Sequence, residues 1–179
     1  PARHLRGALP AVEVPQFGGS ARRSDDTPPG IDPRLAAWLR QLPKRAGILG
    51  TFDQAAAAKV AHFDTYNRTV AGQRVADVVA AARANPGAAI VADGDVALAA
   101  ILASAIAPVP IAVLDVGRFD TSSDAAYVER LYIPGLRRAG DLQTGASLAR
   151  GKGLVYNAGD RFGVSGVEVQ ARPLTPEEI

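Results

Sequence analysis

The stretch AAIVADGDVALAAILASAIAPVPIAVLDV, residues 88–116, constrains this chain more than any other. Two short apolar runs, AAIVAD and IAVLDV, carry no polar alternation, so each reads as a strand covered on both faces, as in a parallel sheet. Between them, DVALAAILASAIA has almost no polar residue and reads as a helix buried nearly all round. A buried strand, a buried helix and a second buried strand make one βαβ unit. Such a unit belongs to a parallel sheet, not to a hairpin sandwich.

The flanking sequence extends the pattern. RTVAGQRVADVVAAARANPG predicts a helix over 70–84, with Val75, Val78, Val79 and Ala82 at helical spacing. Asn67 or Thr69 suits its N-cap, and Asn85-Pro86-Gly87 ends it. AGILGTF predicts a strand near 46–50, GKGLVYNAGD one near 153–157, and GVEVQARPL a short further strand. The expected fold is therefore α/β: three layers, a mostly parallel sheet with helices on both faces, and helices 70–84 and 95–106 on opposite faces. Residues 1–45 are broken by prolines and glycines and read as an irregular arm with one helix, over 33–42, where Trp38 packs. Residues 46–179 form the α/β domain. The arm is expected to pack across the open sheet edge or onto a neighbour, or the chain to form an oligomer.

Composition excludes several classes. The chain has 179 residues and is 47% hydrophobic and 21% charged, which suits one globular domain. It has no Cys, so thiolate metal sites, disulfides and a Cys nucleophile are excluded. Its two histidines, His4 and His62, cannot build a His-rich metal site; both read as surface or loop groups. A net charge of +2 is no polybasic field, and no nucleic-acid partner is expected. No run of 18 apolar residues occurs, so no membrane span is expected. The opening PARHLRGALP is too polar for a secretory signal. A soluble protein of unassigned compartment, with no cofactor, is expected.

Ligands of parallel sheets bind beyond the carboxyl ends of the strands. The loops there are Gly50 to Asp53, Asp93 to Asp95, Asp115 to Asp120 and Asn157 to Asp160. Asp93, Asp95, Asp115 and Asp120 are rim candidates for a metal or a shared proton; taken alone, each reads first as a helix cap or turn former. Arg68 can clamp an anion or belong to the helix start. Arg137, Arg138 and Asp141 read as an ion-paired loop. The turn Ala92-Asp93-Gly94-Asp95-Val96 has the strand–turn–helix form of a nucleophile elbow, whose pattern is G-x-S-x-G. Its central position holds Gly94, which suits a tight turn and offers no attacking atom. Neither a dinucleotide fingerprint nor a P-loop is present.

Four segments, FDTYNRTVAGQRVADVV, IVADGDVALAAILA, YIPGLRRAGDLQTGASLA and LVYNAGDRF, resemble the C-terminal part of acetyl-xylan-esterase-like α/β hydrolases. These are bacterial proteins of the dienelactone-hydrolase and prolyl-peptidase-like group, and the resemblance spans roughly residues 46–163. It implies an α/β-hydrolase sheet and, in active members, a Ser-acid-His triad. The nucleophile position falls on Gly94 and the acid on Asp160. No His follows His62, so the base has no counterpart in this chain. The leading expectation is a noncatalytic hydrolase-like domain with a structural or interaction role, with a companion hydrolase segment or a second copy as partner. The alternatives are an ester hydrolase, or part of one, using Asp93, Asp95, Asp115 or Asp160 in unusual carboxylate chemistry, and a small-ligand-binding domain.

Overall fold

The computed structural model describes Lys59 and residues 68–175. The expected strand near 46–50, the arm 1–45 with its helix and Trp38, and both histidines lie outside the described residues.

Helix α1, Val70–Ala84, begins at Thr69, whose hydroxyl accepts from the Gly72 amide at 3.2 Å. Of the two expected caps, Thr69 fills the role. At the other end the Asn85 side chain donates to the Ala81 carbonyl at 2.9 Å. Strand β1, Ile90–Asp93, leads into helix α2, Gly94–Ile106, in which every residue from Ala97 to Ser104 is buried. Ser104 is accommodated there because its Oγ donates to the Ala100 carbonyl at 2.8 Å. Strand β2, Ile111–Asp115, is followed by helix α3, Asp124–Arg130, capped by the Ser123 hydroxyl. A single 3-10 turn, Arg137–Ala139, and helix α4, Asp141–Leu148, complete the crossover to strand β3, Lys152–Tyr156. The short strand β4, Glu168–Val169, closes the described chain.

Among the described residues the strands form one four-stranded parallel sheet in the order β1-β2-β3-β4. The expected parallel α/β architecture is present. The expectation that α1 and α2 lie on opposite faces is not met. They pack against each other, and α2 packs against α4. All three share one apolar cluster with Ala92, Ala112, Leu114 and Val155 of the sheet. The strand order gives the reason. Crossovers of the same hand place helices on both faces only where the order reverses, and here it runs in sequence.

Side chains alternate along each strand, so the other face carries its own cluster. Val113, Tyr156 and Leu174 are its buried members, with Val91, Ile111 and Leu154 packed against them. Among the described residues no helix is long and apolar enough to cross a membrane.

Candidate functional site

The carboxyl ends of β1, β2 and β3 bring the loops 93–95, 115–120 and 157–160 to one rim. The first begins at Gly94, whose φ of +56° lies in the left-handed region. A Cβ placed there would meet nothing within 4 Å. Glycine is thus favoured by the backbone turn, not by crowding. The expected strand–turn–helix form is present, and the residue at its turn has no side chain.

Asp93 sits at the N-cap position of α2, though its side chain makes no capping bond there. Asp95, in the first turn, is gripped from two sides. Arg74 of α1 donates to its Oδ2 at 3.0 Å and Arg130 of α3 to its Oδ1 at 2.9 Å. Arg130 also donates to the carbonyls of Gly117 and Val116, and its guanidinium lies 5.4 Å from the Phe119 ring centroid. One arginine therefore ties the start of α2 to the loop after β2. Nothing in the local sequence announces this, since Arg130 and Asp95 are 35 residues apart.

Asp115 is buried. Its Oδ1 accepts from the Gly117 amide at 3.0 Å and from Asn157 Nδ2 at 2.9 Å; its Oδ2 accepts from the Leu174 amide at 3.2 Å. The carboxylate pins the end of β2 to the end of β3 and to the C-terminal segment. Backbone bonds reinforce the junction: Val116 N–H donates to the Tyr156 carbonyl and Arg118 N–H to the Asn157 carbonyl. Arg118 and Asn157 both hold positive φ there, at 56° and 52°.

Asp120 forms a local turn, accepting from the amide and hydroxyl of Ser122 at 2.9 and 2.6 Å. Arg161 reaches it at 3.2 Å. The Ser122 hydroxyl, helped by the Ser122 amide and Arg161, holds this carboxyl below its ordinary range against the opposing effect of desolvation. Asp160, at the acid position implied by the resemblance, is exposed, as is Arg68 at the start of α1. In the expected ion-paired loop, Arg137 pairs with Asp141 and also with Asp124, each at 3.0 Å, while Arg138 makes no ion pair among the described residues.

The rim therefore gathers Asp95, Asp115 and Asp120 at the strand ends but engages each with neighbouring chain. Among the described residues no group of three or more His, Asp and Glu side chains could hold a metal ion. Sequence reasoning missed Arg74, Arg130, Asn157 and the Leu174 amide, all of them partners of the rim carboxylates. No protein family, curated protein or solved structure matches the chain.

Proposed function

We propose that this chain is a noncatalytic α/β domain of the α/β-hydrolase type, with a structural or interaction role. One observation carries the reading. The elbow turn is built around Gly94, at φ +56°, so the position of a nucleophile holds no attacking atom. Acyl transfer by a triad needs a nucleophile and a base to take its proton. The rim carboxylates support the same reading, because Asp95 and Asp115 are occupied in holding loops together. The apolar cluster of Val113, Tyr156 and Leu174 supports a third layer over the second sheet face, supplied by the arm or by a partner copy.

The test is a chromogenic acetyl ester assay on the purified chain, with Gly94→Ser and Asp160→Ala beside it. The expected result is turnover at the buffer blank for all three. Gly94→Ser stays inactive because no base takes its proton. Turnover above blank that disappears in Asp160→Ala overturns the reading and establishes carboxylate chemistry.

A further inference from the structure

A groove of about 420 Å³ opens in the connection between β2 and β3, beside the loop that follows β2. That volume is in the range of small-molecule sites, roughly 300–1,000 Å³. Its floor is apolar, formed by Leu131 and Ile133 among others, and Leu131 is buried. Val128 and Tyr132 stand at its edge and are 64% and 47% exposed. Exposed apolar side chains at the mouth of a concave apolar surface are an unusual pairing for a solvent face.

The polar groups of this groove point the same way. Tyr127 lines it and is only 4% exposed, and among the described residues its hydroxyl closes no hydrogen bond of standard geometry. The Leu142 amide and Arg137 face the phenol oxygen as donors, so the hydroxyl's own proton has no acceptor among the described residues. A buried hydroxyl in this state is costly, and a ligand atom is one way to satisfy it. Arg137 is fixed as a wall by Asp124 and Asp141, and its guanidinium covers the Tyr127 ring at 4.6 Å from the centroid. Those ion pairs also neutralise Asp124, the acidic side chain in the lining. Arg138 is exposed at the groove and forms no ion pair or hydrogen bond among the described residues.

We propose that this groove binds a small monocarboxylate with an aryl or alkyl body. The body lies on Leu131, Ile133 and Val128. The carboxylate takes its charge-assisted bond from Arg138, and the Tyr127 hydroxyl donates to the ligand's polar end. Charge decides the class. The cation at the mouth that is unpaired among the described residues is a guanidinium, which favours a carboxylate over an amine or a neutral amide. The proposal is independent of whether the chain hydrolyses esters.

The test uses the intact chain and two probes, 4-phenylbutyrate and its neutral amide, in amide-resolved NMR titrations. Saturable shifts clustered on residues 124–138 are expected for the carboxylate. Arg138→Ala, an exposed substitution that leaves the core untouched, weakens the carboxylate about tenfold and leaves the amide unchanged. Arg138→Lys restores part of the loss, because it keeps the charge and loses the fork. Tyr127→Phe keeps the ring packing and weakens the carboxylate severalfold. Flat titrations, equal binding of acid and amide, undiminished affinity in Arg138→Ala, or shifts centred on 93–95 and 157–160 each overturn the proposal.

Discussion

Replacing Asp115 by alanine removes three accepted hydrogen bonds at once. The donors are not equivalent. Leu174 is 3% exposed, so its amide loses its partner where water cannot replace it. An orphaned buried donor costs about 1–3 kcal/mol. Gly117 is exposed and Asn157 half-buried, so water recovers part of those bonds, and each costs about 0.5–1.5 kcal/mol. The expected loss is roughly 3–5 kcal/mol, a large share of the ~5–15 kcal/mol that holds a typical domain. At about 3 °C per kcal/mol for a chain of this size, Tm falls by about 10–15 °C. Asp115→Asn separates the bonds. Its remaining oxygen serves Gly117 and Asn157, while its NH2 meets the Leu174 N–H donor to donor. That variant loses about 1–3 kcal/mol, and only the Leu174 amide loses exchange protection. Urea unfolding followed by circular dichroism gives the energies, and hydrogen exchange gives the site. If both variants unfold within 1 kcal/mol of wild type, Asp115 is not the joint described above.

Gly151→Ala tests close approach at the other end of the sheet. A Cβ there collides with the backbone carbonyl of Val109, which cannot swing aside, so the variant is expected to lose about 3 kcal/mol or more, or fail to fold, in urea unfolding. Asp95→Asn halves the grip of Arg74 and Arg130 on the start of α2. With Asp95 about one-third exposed, the loss is about 1 kcal/mol and shrinks as salt is raised; a salt-independent loss of that size contradicts an electrostatic clamp. Burial pushes the Tyr127 phenol up, so the folded chain holds that proton more tightly than the unfolded chain. Its contribution is complete below the ordinary phenol range, near pH 10, and is lost as pH rises through the folded value. Wild type is therefore expected to lose Tm on the alkaline side faster than Tyr127→Phe; parallel curves refute this.

The local features of the fold were legible because their causes are local. Thr69, Ser123 and Asn85 cap helices through bonds to groups three or four residues away. The buried run of α2 advertises itself by lacking polar residues. The faces on which helices lie depend on the order in which strands pair, and that order is written in no single segment. The alternating strand residues were invisible for a similar reason. Ile111, Val113 and Leu154 form one face and Ala112, Leu114 and Val155 the other, yet all are apolar, so periodicity could not separate them. The rim carboxylates were found by their place at strand ends, but their work was not. Two of the three donors to Asp115 come from 42 and 59 residues away, and no spacing rule reaches that far.

The contrast between rim and groove follows from what each has left to give. At the strand ends, Arg130 spans Asp95 and two carbonyls, Asp115 spans two loops and the C-terminal segment, and Asp120 holds Ser122 and Arg161. A ligand arriving there exchanges its bonds to water for bonds taken from the protein, and the loops lose what fixes them. Such an exchange yields little net affinity, because each polar partner gained is a partner withdrawn elsewhere. In the β2–β3 connection the account differs. Among the described residues the Tyr127 hydroxyl proton has no acceptor to surrender, and the apolar edge at Val128 and Tyr132 is already in water. Covering these groups removes a cost instead of moving it. The sequential strand order completes the argument, since among the described residues it leaves no point of reversal where a crevice opens between strand ends.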